Sequence, residues 1–201
     1  MTTFRFHDRR GFTLTELLMV MMVMTILYCI ALSAIRAVDR TARKTAARAD
    51  LKSIETAFKQ YYAHYQTWPG SLGGDTDPGD VAIDATLAGI LNGTNDGGLG
   101  RDDGGNPDKM IFIEFSRLTD DGIPLNPWGA SGRYEKEECR YHVAVDADGD
   151  NSVQFTSDGY EHANAVKLLP SSRRFRGSII VWTFNPELTK DNEDYLIGSW
   201  Q

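Results

Sequence analysis

The sequence predicts an α+β protein in which one long N-terminal helix, membrane-spanning in its first half and amphipathic in its second, packs on a small antiparallel sheet. Three observations predict it. Residues 12–35 form an apolar run of 24 residues with a single formal charge, Glu16. From Ala34 to Tyr65 there is neither Pro nor Gly, and apolar residues recur every three or four positions. Beyond Trp68 the chain breaks into short strand-like runs separated by turns rich in Gly, Asp and Asn.

The apolar run sets the first element. As a helix it rises about 36 Å, enough to cross a hydrocarbon core of roughly 30 Å with some tilt. The helix has no reason to stop there, because "AARADLKSIETAFKQYYAHY" (46–65) holds good helix formers throughout. Leu51, Ile54, Phe58, Tyr61 or Tyr62, and Tyr65 make one apolar stripe, and Glu55 and Lys59 form an i,i+4 pair on another face. "TWPG" (67–70) ends the helix, so it is predicted from Phe12 to about Tyr65. A lone stripe of this kind needs a sheet against it.

The rest of the chain supplies that sheet. Asp80 is predicted to cap a short helix from Val81 to Leu91, closed by Gly93. "NGTNDGGLGRDDGGNPD" (92–108) reads as a mobile loop, and "MIFIEF" (110–115) as a buried run of helix or strand. "RYHVAV" (140–145) and "SVQF" (152–155) alternate and flank "DADGDN" (146–151), the pattern of a hairpin. "SIIVWTF" (178–184) is predicted as a central strand, and "YLIGSW" (195–200) is the last element.

Length and charge narrow the function classes. With 201 residues there is room for one ordinary domain plus an anchor. Net charge is −7; residues 1–11 carry +2, which leaves −9 for the remainder. An acidic head argues against a nucleic-acid partner and is compatible with divalent cations. Cys29 lies in the apolar run and Cys139 far into the polar part, so no intramolecular disulfide is expected. The four histidines are scattered, and no His-x-x-x-His, Cys-x-x-Cys or Gly-x-Ser-x-Gly occurs, so no enzyme is predicted. Trp68, Trp128, Trp182 and Trp200 read as core and turn packing.

A cleaved secretory signal has its processing site after a short apolar region. Here the order is reversed. "RRG" (9–11) directly precedes "FTLTELL" (12–18) and the long apolar run. This resembles the prepilin signal of type IV pilins and type II secretion pseudopilins, with the head closest to major pseudopilins. The resemblance implies that a prepilin peptidase cuts after Gly11 on the cytoplasmic side and methylates Phe12, which puts Glu16 at the fifth mature position. It implies a pilin-like fold with a leader (1–11), a transmembrane helix half (12–35), an amphipathic half (36–66) and a globular head (67–201). It also implies an inner-membrane, single-pass subunit with its head outside the cytoplasm. Its partners would be itself and other pseudopilins in a filament, the peptidase and an inner-membrane assembly platform.

A physical reason accompanies the likeness. A carboxylate in hydrocarbon costs about 2.5–3.5 kcal/mol, and a residue placed there usually has a partner. Cleavage after Gly11 creates one, the Phe12 amine, on the same chain or a neighbour. In the family that intersubunit pairing sets the axial stagger. The competing reading is a plain signal anchor whose Glu16 reaches the headgroups, helped by the positive helix end. Arg36, Arg40, Arg43, Lys44 and Arg48 follow the span closely, so charge alone leaves orientation open and the motif decides it. Ser33 stands where many pilins have a kinking proline.

Two head segments extend the likeness. "NPWG" (126–129) resembles the Asp-Pro-Trp-Gly turn of major pseudopilins, with Asn126 in place of Asp. "WTFNPELTKDNEDYLIGSW" (182–200) resembles their C-terminal strand, acidic loop and Ser-Trp. In that family the acidic loop binds Ca2+, which by position implies Asp191 and Asp194, with Asn185 where an Asp often stands. Independently, Asp146, Asp148, Asp150 and Asn151 have the 1, 3, 5 spacing of a Ca2+ loop. An EF-hand would need Gly at Asn151 and Glu at Ser157, so this is a looser site or an ordinary polar turn. The leading functional reading is a pseudopilin subunit. The alternatives are a type IV pilin of an adhesion, motility or DNA-uptake filament, and a membrane-anchored binding protein that uses a pilin-like signal.

Overall fold

The computed structural model describes residues 12–72, 81–95, 98–135, 137–154, 174–189, 192 and 194–200. Gly11, Asp80, Phe155, Ser157, His162, Asp191 and Glu193 lie outside the described residues. The chain divides into two units, Met1–Ala42 and Arg43–Gln201.

Helix α1 runs over Leu14–Tyr65, 52 residues. In the first unit its large apolar side chains from Leu14 to Val38 are exposed. In the second unit the stripe takes over: Ala47, Leu51, Ile54, Phe58, Tyr61 and Tyr65 are buried. Tyr61 is the stripe residue and Tyr62 stays 40 % exposed. On another face Glu55 bonds Lys59 at 2.6 Å and Lys52 at 3.1 Å. Burial raises the Glu55 pKa, but the two ammonium groups outweigh it and hold it below the usual value. The helix ends as Gln66 turns left-handed (φ 59°).

Strand β1 (Val81–Ala82) and helix α2 (Ala85–Asn92) replace the single helix expected from Val81. The sheet wins those two residues: Val81 and Ala82 pair with Val143 and His142, and Ile83 N–H bonds Tyr141 O. The N-cap is therefore Asp84, whose carboxylate accepts from Leu87 N–H at 2.8 Å. Gly93 closes α2 as expected, left-handed at φ 74°. A side chain there would press on Lys109 O.

Strands β2 (Tyr141–Val145), β3 (Ser152–Gln154), β4 (Arg174–Arg176), β5 (Ile179–Phe184) and β6 (Leu196–Gly198) complete the set. One antiparallel sheet has the order β1-β2-β5-β6, with β5 central as predicted. The expected hairpin across 146–151 is not formed, since β3 pairs with β4 in a separate two-stranded sheet. The loop instead changes sheets. β2 and β5 are buried along their whole length because the sheet is covered on both sides. Tyr141, Val143, Val145, Val181 and Ile197 join the α1 stripe, α2 and Trp128 in one core. Ala144, Ile180, Trp182, Phe184 and Leu196 meet Val153, Phe175 and Tyr195 in a second.

Two loop expectations change. Met110 and Ile111 are exposed, and 110–115 forms neither helix nor strand. Phe112 and Ile113 instead hang from Leu91 O by their N–H groups. The 92–108 loop is fixed at its far end. Tyr61 OH donates to Gly105 O, and buried Asn106 donates to Ile90 O and Met110 O while accepting from Met110 N–H and Tyr65 OH. Gly104 (φ 84°) lies against Trp68 O and Gly70 N, where no side chain fits.

Asn126 is the polar centre of the head. Fully buried, it donates to Thr183 Oγ1 and Phe184 O at 2.9 Å each and accepts from Trp128 N–H and Gly129 N–H. A carboxylate could accept the second pair but not donate the first. Asn126→Asp is expected to destabilise the protein at neutral pH by about 2–4 kcal/mol, because it buries a charge facing a carbonyl. The deficit should shrink in acid as the desolvated carboxyl protonates. Denaturant titrations of both proteins across pH check this; equal stability at pH 7 contradicts it.

Candidate functional site

The processing and assembly residues lie at the start of α1. Phe12 is 80 % exposed. Glu16 does not project freely. Its Oε2 accepts from Thr13 N–H at 2.9 Å and from Thr13 Oγ1 at 2.8 Å, and Thr13 Oγ1 accepts from Glu16 N–H at 3.3 Å. This is a capping box, in which a Thr and a Glu three residues on satisfy each other's helix-start donors. Among the described residues, both contacts to the carboxylate fall on Oε2. Sequence reasoning placed Thr13 and Glu16 in the motif but did not pair them, although Thr-x-x-Glu before an apolar run is the signature of a capping box. Behind this box α1 is long and apolar enough to cross a membrane, and its most apolar stretch has no buried residue.

The first acidic loop gathers Asp146, Asp148 and Asp150, with carboxylate oxygens within 4.8 Å of one another. The loop is built by its own side chains. Asp146 accepts from Gly149 N–H at 2.7 Å and Asn151 N–H at 2.9 Å. Asp148 accepts from Asp150 N–H, and Asp150 from Ser152 N–H and, at 3.4 Å, Arg174 Nη1. Gly149 (φ 78°) and Asn151 (φ 58°) supply the left-handed turns. Three hard oxygens on a curved chain suit a divalent cation, although each carboxylate already serves a donor.

The second acidic loop is described at Asn185, Glu187, Asn192 and Asp194. Asp194 is paired with Lys44 at 2.5 Å and Glu187 with Arg43 at 3.3 Å. Asn185 Oδ1 accepts from Glu187 N–H. Among the described residues, Asp194 is not part of the 146–150 cluster. A third polar group, unforeseen from sequence, joins α1 to the sheet: Asp50 accepts from Arg117 and from Tyr141 OH beside a cleft of about 270 Å3.

Among the described residues no catalytic geometry is seen. His64 lies 3.5 Å from Asp108, and His142 stacks on Trp182. Burial, with some help from Glu138, pushes the Cys139 thiol up to about 11, which keeps it protonated and a poor nucleophile. Cys29 and Cys139 are both free thiols.

Residues 6–27 match the family described as the prokaryotic N-terminal methylation motif. No curated protein and no solved structure matches the chain. The motif and the long helix on a small antiparallel sheet are consistent with the broad type IV pilin and pseudopilin superfamily, without selecting a member.

The 146–151 loop carries its own prediction. Asp146→Ala should cost about 1–3 kcal/mol in the presence of chelator, since two backbone donors lose their acceptor irrespective of any metal. Thermal unfolding of full-length protein in detergent with EDTA measures it. A cost that appears only with added metal contradicts the internal-bond account.

Proposed function

We propose that this chain is a structural subunit, a pseudopilin of a type II secretion-type pseudopilus, which assembles through its N-terminal helix after removal of residues 1–11. The observation that carries the reading is the methylation motif over residues 6–27, set at the start of a helix whose apolar side chains from Leu14 to Val38 have no cover. In this reading a prepilin peptidase cleaves between Gly11 and Phe12, and residues 12–35 hold the subunit in the inner membrane. Residues 36–66 carry the head, 67–201, outside the cytoplasm. An assembly platform then moves subunits from membrane to filament, together with other pseudopilins.

Glu16 has two tasks here. In the membrane, Thr13 keeps its carboxylate hydrogen-bonded through Oε2. In the filament, Oε1 receives the Phe12 amine of the adjacent protomer, a charge-assisted bond that fixes the register between helices. Glu16→Ala is expected to leave membrane insertion unchanged, measured by resistance to carbonate extraction. It should reduce filament yield, measured by shearing and electron microscopy, by at least about tenfold, as the loss of one buried charge pair implies. Normal filaments from this variant contradict the proposal. Membrane-inserted wild-type protein that never forms protomer–protomer crosslinks would favour a monomeric anchor.

Calcium is the finer part of the reading and rests on Asp146, Asp148 and Asp150. A cation bound only by the folded state stabilises it, by about 2.7 kcal/mol at roughly a hundred times Kd. Millimolar Ca2+ should then raise the Tm of the full-length protein in detergent, and Asp148→Asn should remove the rise. An unchanged wild-type Tm rejects the loop as a calcium site.

A further inference from the structure

Charge is sharply divided along the chain. Residues 36–48 hold Arg36, Arg40, Arg43, Lys44 and Arg48 against one carboxylate, Asp39, a net +4, whereas residues 49–201 carry −12. We propose that this basic stretch of α1, centred on Arg40, is a binding surface for anionic phospholipid headgroups. The proposal rests on residues 12–35 spanning a membrane and is independent of filament assembly.

The cations of the stretch divide into two kinds. Arg43 and Lys44 are taken up by the head, where they pair with Glu187 at 3.3 Å and Asp194 at 2.5 Å. Arg40 and Arg48 are exposed, and neither forms an ion pair among the described residues. Around Arg40 the helix is uncovered as well: Ile35 is 63 % and Val38 67 % exposed. Apolar side chains beside an unpaired guanidinium suit the boundary between hydrocarbon and headgroups.

Depth along the helix selects Arg40. It lies five residues beyond Ile35, a rise of about 7.5 Å, and the headgroup layer outside each hydrocarbon face is about 5–8 Å deep. Helical side chains lean toward the N-terminus, which carries the Arg40 guanidinium back toward the span. Its planar fork of N–H donors matches two phosphate oxygens. Arg48 stands eight residues farther along α1, about 12 Å of rise, and attraction to a charged membrane surface fades within a Debye length of about 8–10 Å. The acidic head of a second copy would also complement the stretch. Lipid is the better match, because Arg40 lies beside the span in every inserted subunit, assembled or single. The head, at −12, is repelled by an anionic surface, so a preference for anionic lipid has to come from residues 36–48.

Electron spin resonance of the full-length protein in phosphatidylcholine vesicles, with spin-labelled phosphatidylglycerol or phosphatidylcholine as the probe, measures that preference. The wild type should favour phosphatidylglycerol by at least about fivefold at low salt and lose most of the preference in 1 M NaCl. Arg40→Gln should lower it about fivefold, the contribution of one juxtamembrane cation. Arg40→Lys should stay within about twofold of wild type, and Arg48→Gln should lower it less than about twofold. No preference in the wild type, or equal losses from Arg40→Gln and Arg48→Gln, overturns the proposal. So does an Arg40→Gln protein that keeps the lipid preference but loses crosslinks between copies, which would assign the stretch to a second head. Protein washed from the vesicles by carbonate overturns this proposal and the membrane-anchored subunit together, whereas protein that stays inserted without a lipid preference overturns this proposal alone.

Discussion

One helix joins a stretch long and apolar enough to cross a membrane to an amphipathic stretch. In hydrocarbon every backbone polar group must be satisfied within the segment, which makes a helix the only economical single-span structure. In water the same helix can keep only a stripe of apolar side chains, and that stripe must be covered. The change falls between Val38, still exposed, and Ala47, the first core residue of α1. The head is organised around it. β2, β5 and β6 lie where Val143, Val181 and Ile197 can meet Leu51, Ile54 and Phe58 in one core. The second core beneath Trp182 and Phe184 then covers the sheet's other face.

Much of the rest of the described head is loop, and it is fixed by polar groups in buried places, with both cysteines free. Asn106 ties the Gly-rich segment to α2 and to the end of α1. Asn126 ties the 126–129 turn to β5. Each is a neutral amide that donates and accepts at once, which a carboxylate of the same shape cannot do. Charge is used where water still reaches: Asp50 with Arg117 and Tyr141, and the two α1 cations with the loop before β6. These bonds place the head's loops relative to α1.

What the sequence made legible follows from periodicity. The stripe from Leu51 to Tyr65, the end of α1, the central strand at 179–184 and the Gly93 cap all rest on patterns of two, three or four residues. What it hid depends on partners far along the chain. Val81 and Ala82 look helical until β2 is beside them, and Asp84 then becomes the cap. The alternation flanking 146–151 suggested a hairpin, yet β3 leaves for β4 because β5 already occupies the edge of β2. The Gly-rich segment reads as mobile, since nothing local shows that Asn106 will find four partners. At the candidate site Glu16 was legible as a lone charge in an apolar run, and Thr13 as its partner could have been. The engagement of Asp194 by Lys44, 150 residues away, could not.

The account turns on what happens between Gly11 and Phe12. The most direct measurement is the intact mass and N-terminal fragmentation of the protein extracted from membranes in which a prepilin peptidase is co-expressed. The account predicts a chain that begins at N-methylated Phe12 and retains residues 12–35. A chain that still begins at Met1, or one cut after the apolar run, would contradict it and leave an anchor or a secreted domain in place of a filament subunit.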